Sequence, residues 1–452
     1  MIRQAQPYRP ARAIDAIADF IGDPVEAAQF PSHIVRFRND RAATEVGLAA
    51  LDDAAWIAHF GAFTPLPGSL PQPLALRYHG HQFRVYNPDI GDGRGFLFAQ
   101  LHDDRGRLMD LGTKGSGQTP YSRFGDGRLT LKGAVREILA TEMLEALGVE
   151  TSRTFSVIET GEALHRGDEP SPTRSAVLVR LNHGHIRIGS FQRLATLGLE
   201  DELRRLVDYA LRTYFDNTSG DPVVLLRHVA ERTARLAASY MAAGFVHGVL
   251  NSDNINITGE SFDYGPWRFT PTFDATFTAA YFDHAGLYAF GRQAEAIHWD
   301  VVQLGAALRP LADTDALVQA IDAFGPAYRA ALVDRFLWRL GVTPHGDERD
   351  VALVQAIEAR LTESGEPIDA FFFANAGGRG GSDAVPALVD YTPTIDLGHP
   401  YWQRAEPCAM LIEEVEAIWQ PIAQDDDWSM FNAKLTLIRQ MGEALAMRHV
   451  RP

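Results

Sequence analysis

The chain reads as an α+β protein of two lobes, a β-rich lobe followed by an α-helical one, with an N-terminal extension ahead of both. Three observations carry this reading. Two apolar runs flank a polar turn early in the chain, a strongly amphipathic stretch follows, and helical periodicity then prevails through most of the second half.

Residues 1–90 are Pro-rich and irregular apart from a helix-like stretch at Asp52 to His59, and are expected to pack on the body as an extension. From Arg94 to Lys114 the runs RGFLFAQL and LMDLGTK flank HDDRGR, the pattern of a β-hairpin with charged connecting residues. Between Leu129 and Leu147 the residues Leu131, Val135, Ile138, Leu139, Met143, Leu144 and Leu147 recur mostly at helical steps, and Gly148 supplies a stop. That spacing predicts an amphipathic helix. Strands at Thr154–Glu159 and Ser175–Leu181 complete the β-rich lobe, residues 91–195.

Helical periodicity over Glu202 to Tyr214 and Val223 to Ala243 opens the second lobe, residues 196–311. A loop with short strands then carries HGVLNSDNINI and FDYGPW. Helices are expected at Trp299–Leu308, Ala316–Leu340, Arg349–Leu361 and Met430–Met447, the last three in a helical C-terminal region, residues 312–452. FFFANAGGRGGSDAVP reads as an exposed loop, because its glycines cost chain entropy and leave few side chains to pack.

With 46% hydrophobic positions in 452 residues, the chain can bury a large core shared among two or three folded units. Its net charge of -16 argues against general affinity for nucleic acid or anionic membrane, which recruit clustered Lys and Arg. Any anionic ligand must therefore meet a local basic pocket. Cys408 stands alone, so no intramolecular disulfide can form, which fits a reducing cytoplasm. The first residues, MIRQAQPYRPARAIDAIADF, lack an apolar core with a cleavage site, and no run of about 18 apolar residues occurs. A soluble, cytoplasmic protein is expected.

Four chemistry-bearing elements follow one another: the Gly-rich turn GDGRG at Gly91–Gly95, Lys114 ending a strand, Glu137 within the next helix, and HGVLNSDN followed by DYG. This is the order of parts in a protein kinase, which cradles phosphates on backbone N–H groups, holds a strand Lys with a helix Glu, and binds Mg²⁺ through acidic and amide oxygens. Each part alone has an ordinary reading. GDGRG can be a plain hairpin turn, Lys114 a solvated strand end, and Glu137 a surface charge.

The loop His247–Asn254 is more specific. Asn254 lies seven residues after His247, as in the kinase catalytic loop, but Val249 occupies the position of the catalytic Asp. Asp253, immediately before Asn254, is the natural replacement base. Asp263 of DYG is the second candidate metal ligand beside Asn254, and His247 reads as a loop-packing residue. In RSAVLVRLNHGHIRIGSF, Arg180 and Arg187 could neutralise a polyphosphate, with two solvated arginines as the plainer reading. GQTPYSRFGDGR adds Arg123, Asp126, Gly127 and Arg128 in a polar loop able to fold over a nucleotide. His79 and His81 read as packing or capping residues, with no Cys or carboxylate at zinc-site spacing nearby.

From about Leu76 to Leu308, through GHQF, GDGRG, LGTKGSG, FGDGR, VREIL, HIRIGSFQ, HGVLNSDN and FDYGP, the sequence resembles the selenoprotein O family of pseudokinase-like protein adenylyltransferases. The resemblance implies a protein-kinase-like bilobal fold and ATP bound in a flipped orientation with its γ-phosphate buried. It also implies transfer of AMP to Ser, Thr or Tyr hydroxyls of protein acceptors, with release of pyrophosphate; the sequence leaves open whether the chain itself is an acceptor. By the same resemblance Gly91, Gly93, Arg94, Lys114, Asp126, Gly127, Arg180 and Arg187 look like nucleotide contacts, with Glu137 orienting Lys114. Asp253 looks like the base, and Asn254 and Asp263 like ligands of Mg²⁺ or Mn²⁺. Two departures stand out: the approach to GDGRG is less glycine-rich than usual, and the chain ends MRHVRP where family members commonly carry a redox-active Cys or selenocysteine.

Two other functions fit parts of this pattern. A conventional ATP-dependent phosphotransferase is disfavoured by Val249, and a non-catalytic nucleotide-binding scaffold is disfavoured by the intact Asn254 and Asp263 pair. Transfer chemistry separates the enzyme from the scaffold.

Overall fold

Strands that bury side chains on both faces organise the first half of the molecule. The computed structural model describes residues 7–167, 169–379 and 385–446; the glycines within 380–384 and the closing MRHVRP lie outside the described residues. In chain order the strands are β1 (Pro10–Ala11), β2 (Gly22–Pro24), β3 (Ile34–Arg38), β4 (Leu74–Leu76), β5 (Gly80–Gln82), β6 (Val85–Asn87), β7 (Leu97–His102), β8 (Leu108–Lys114), β9 (Leu129–Thr130), β10 (Arg153–Leu164) and β11 (Thr173–Asn182). The main sheet is antiparallel with order β2-β4-β7-β8-β11-β10-β3, β1 pairing with β7 and β9 with β11. β5 and β6 form a separate hairpin.

Period-2 alternation splits the strand residues between two cores. Leu97, Leu108 and Leu178 face the helix Leu131–Ala146 through Val135, Ile138 and Leu139. Phe96, Phe98, Val177 and Val179 face the other way, onto Trp56 and Phe60 of the helix Asp53–Phe60. Trp56 stacks on Phe155 at 5.1 Å and donates its indole N–H to Ser156 Oγ at 2.9 Å, so the buried ring is apolar on its face and satisfied at its edge. With both faces covered, every residue of β8 is buried.

The expected irregular N-terminus needs correction. Residues 10–87 supply six short strands, four of them in the main sheet. Each has two to five residues, too few for a period-2 pattern to stand out in sequence. The short helix expected at Asp52 to His59 is present as Asp53–Phe60, capped by Asp52 accepting from Ala55 N at 2.8 Å.

Helices dominate after Asn182: Ile188–Thr196, Glu200–Tyr214, Pro222–Ala243 and Gln293–Leu308 pack below the sheet. The helix expected at Ala316–Leu340 is two helices, Thr314–Ile321 and Phe324–Leu340. Pro326 has no N–H to give to the carbonyl four residues earlier, and its ring would crowd that turn, so the chain restarts. Among the described residues no helix is long and apolar enough to cross a membrane.

The last helix, Ser429–Ala446, crosses Leu131–Ala146, with Gly442 close enough that an added Cβ would lie 3.2 Å from Ala146. Glu142 locks this crossing. Its buried carboxylate accepts from Arg439 Nε at 2.8 Å and Nη2 at 2.9 Å, and from Arg41 Nη2 at 3.2 Å. The N-terminal segment and the last helix thus share one carboxylate on the helix that also carries Glu137. Breaking such a pair from its buried side leaves the partners uncompensated. Glu142→Ala is expected to lower unfolding free energy by about 3 kcal/mol in a denaturant titration, whereas Arg41→Ala, removing only one exposed donor, is expected to cost under about 1 kcal/mol.

Candidate active site

Register places the first two cations. β8 and β11 pair with Gly112 opposite Arg180 and Lys114 opposite Leu178, so Lys114 and Arg180 project from the same sheet face. Lys114 Nζ donates to Glu137 Oε2 at 2.6 Å and to Tyr264 O at 3.2 Å, which ties the strand end to both the helix and the DYG turn. Burial pulls the Lys114 ammonium below its usual range, and Glu137 opposes that pull.

Arg187 stands just ahead of the helix Ile188–Thr196 and is 2% exposed. Its guanidinium lies over the rings of Tyr78 and Phe262, at 4.4 and 4.7 Å. Its Nη1 donates to Asp263 Oδ2 at 2.5 Å and to the Asp253 carbonyl at 2.8 Å, while Nη2 donates to Asp92 Oδ1 at 3.2 Å. Arg180 Nη1 donates to the other oxygen of Asp263, also at 2.5 Å. Burial alone would raise the Asp263 carboxyl, but Arg180, Arg187 and Lys114 outweigh it and hold the group well below the ordinary carboxylate range. Asp263 sits at φ 61°, a left-handed conformation that Asp tolerates better than most residues.

Asp253 and Asn254 lie in the short turn Ser252–Asn254. The hairpin β5–β6 holds this turn from the side: His81 N donates to Ser252 Oγ at 2.7 Å and Phe83 N to Asn251 Oδ1 at 3.0 Å. Gly80 lets the hairpin backbone come close, since a Cβ there would lie 2.8 Å from Asp253 Oδ1. Asp253 Oδ1 is buried and has no hydrogen-bond partner among the described residues. Burial pushes the Asp253 carboxyl up to about 6, against the pull of Arg187.

One cavity of about 730 Å³ gathers Gly91, Gly93, Arg94, Lys114, Asp126, Gly127, Arg180, Arg187, Asp253, Asn254 and Asp263, with Glu137 directly behind Lys114. Its wall carries seven Lys and Arg side chains against four carboxylates, so a chain of net charge -16 keeps a locally cationic pocket. The deep cations are Lys114, Arg180 and Arg187; Arg94 and Arg123 are exposed at the mouth. The polar loop reaches the Gly-rich turn through Ser122 Oγ, which donates to Gly93 O at 2.5 Å.

Asp126 behaves differently from its neighbours. It is exposed, and its carboxylate is taken by Arg166 at 2.9 and 3.1 Å, so its side chain braces the loop. Sequence reasoning passed over Arg166, Asp92, Tyr78 and Phe262. Asp92 stood in view inside GDGRG, and Phe262 beside Asp263 in FDYG; Arg166 had no local signal. His79 and His81 are engaged by Tyr86 OH and Gln192 Nε2, each at 2.7 Å, and His247 Nε2 meets Phe262 O at 2.9 Å, as packing histidines do.

The hard oxygens of the turn suit a divalent cation. Asn254 Nδ2 donates to Val249 O at 3.1 Å, which leaves Oδ1 to accept, and Asp263 lines the same cavity. Among the described residues no three His, Cys, Asp or Glu side chains gather as a metal cage. Asn254 Oδ1 and the Asp263 carboxylate are the oxygens of this cavity that would hold such an ion.

A family model described as protein adenylyltransferase SelO matches residues 7–377. A protein nucleotidyltransferase YdiU from Synechococcus elongatus is 43% identical over 97% of this chain and 96% of its own length. Proteins of the same name from Gloeobacter violaceus, 43% identical over 94% of this chain and 93% of their own, and Pseudomonas aeruginosa, 39% over 77% and 72%, extend the likeness. With the match running from the first strand past the helices of the site, the chain belongs to the protein adenylyltransferase SelO family.

Proposed function

We propose that this enzyme transfers AMP from ATP to a Ser, Thr or Tyr hydroxyl of a protein acceptor and releases pyrophosphate, on a kinase-like pair of lobes at residues 91–195 and 196–311. In this reading residues 10–76 contribute strands to the sheet of the first lobe, and residues 312–452 form a helical C-terminal region. The observation that carries it is the closed end of the cavity, where Lys114, Arg180 and Arg187 are each under 7% exposed. Three buried cations there match the terminal phosphates of a nucleotide inserted phosphate-first, which leaves the α-phosphate nearer Asp253.

The residues then divide the work. Gly91, Gly93 and Arg94 meet the nucleotide at the Gly-rich turn, with Asp126 and Gly127 in the loop above it. Asp253 accepts the proton of the acceptor hydroxyl as its oxygen bonds to the α-phosphorus. The bond from that phosphorus to the bridging oxygen of the β-phosphate breaks, and the leaving pyrophosphate is held by Lys114, Arg180 and Arg187. Glu137 keeps Lys114 in place. Asn254 and Asp263 would hold Mg²⁺ or Mn²⁺, which when bound neutralises phosphate charge. A carboxylate near 6 is basic enough to take the proton yet ionised at neutral pH.

Two measurements test this reading. With ATP labelled separately on the α- and γ-phosphate, label is expected on protein from the α-position only; label from the γ-position alone would instead identify a kinase, and none from either would identify a scaffold. Asp253→Asn is expected to lower kcat by about 10²- to 10⁴-fold while leaving ATP affinity, read by calorimetry, within a few-fold. An unchanged kcat would remove Asp253 as the base.

A further inference from the structure

A buried polar chain runs along one face of the sheet behind Arg180. Ile14 N donates to Gln100 Oε1 at 2.7 Å, which leaves the amide nitrogen of Gln100 to donate to Asp110 Oδ1 at 2.8 Å. Gln100 and Asp110 are directly opposed across β7 and β8. The other oxygen of Asp110 meets His185 Nδ1 at 3.4 Å, and Arg180 Nε donates to His185 Nε2 at 3.3 Å. Gln100, Asp110, His185 and Arg180 are each under 5% exposed, so no solvent competes for these groups.

The chain has a direction. Gln100 cannot turn over without setting its amide hydrogens against Ile14 N–H. Its fixed orientation presents a donor to Asp110, whose far oxygen then receives the His185 Nδ1 proton. His185 Nε2 is thereby left bare and accepts from Arg180. A proton on Nε2 would face the Nε–H of Arg180, donor against donor. Burial lowers the imidazole below its usual range, which favours the neutral ring this arrangement needs. The fold makes room for it: Gly112 lies opposite Arg180, and a Cβ there would stand 2.1 Å from His185 Nε2.

We infer that Asp110 and His185 are positioning residues for the transfer reaction, fixing the imidazole tautomer that holds the Arg180 guanidinium against Asp263 and toward the phosphates. This rests on the reading of Arg180 as a phosphate contact. A hydrogen-bonding error at Asp110, two side chains removed from Asp263, would therefore be felt as misplacement of a phosphate-binding cation.

Asp110→Asn is nearly isosteric and tests it. Held by Gln100, the new amide would offer its NH₂ to Nδ1 and force the proton to Nε2. Histidine ¹⁵N spectra, with the His185 signal assigned by its loss in His185→Gln, are expected to show an Nδ1–H ring in the parent and an Nε2–H ring in Asp110→Asn. KM for ATP is expected to rise about tenfold or more. Should Asp110→Asn not fold, the pair His185→Gln and His185→Leu carries the test, because Gln can still accept from Arg180. His185→Gln is expected to stay within a few-fold of the parent and His185→Leu to lose at least tenfold. An Nε2–H ring in the parent, equal KM values in parent and Asp110→Asn once the tautomer has switched, or equal losses in the two His185 variants would overturn the inference. Arg180→Ala measured alongside separates the two readings: if it too leaves KM for ATP unchanged, the phosphate role of Arg180 is what fails.

Discussion

One carboxylate between two guanidiniums sets the terms for the rest of the site. Lys114, Arg180 and Arg187 converge at the closed end of a cavity, where like charges repel strongly and water is scarce. Asp263, with one oxygen on each arginine, offsets that repulsion and is in turn kept ionised by it. Neither half is tenable alone, because a buried charge without its partner costs several kcal/mol. The protein thus holds its buried cations on a carboxylate of its own.

The sheet makes that convergence repeatable. Lys114 and Arg180 share a face because β8 and β11 are in register, and a one-residue slip between them would put the two side chains on opposite faces. Such a slip is blocked by the apolar cores on either side, which accept Leu178 on one face and Val177 and Val179 on the other. Packing far from the chemistry thus determines the spacing of the charges within it.

Much of this was legible in the sequence. The hairpin, the amphipathic helix and the helical second half follow from strong periodicity, and Lys114, Glu137, Asn254 and Asp263 fell into recognisable spacing around Val249. All the cavity-lining residues so identified do meet at one cavity, with Glu137 behind Lys114. What escaped was what spacing cannot encode. The short N-terminal strands pair with residues far along the chain, Pro10 opposite Leu101 and Gly22 opposite Leu76, and carry no pattern of their own. Arg166, which braces Asp126 from 40 residues away, belongs to the same class, as does Glu142, whose partners come from both ends of the described chain. The break before Phe324 was local chemistry, a single proline outweighed in a long apolar period.

The hairpin that cradles Asp253 also bears on assembly of the site. Its bonds to Ser252 and Asn251 span 171 and 168 residues. Contacts so distant in sequence form only after the intervening chain has been ordered, since their closure entropy is not repaid by local structure. During synthesis the hairpin emerges long before the turn it is built to hold, so the environment of Asp253 is among the last features of the site to exist. Until then the growing chain has the cavity's lysine but not the turn that completes the cavity, and the site waits on the finished fold.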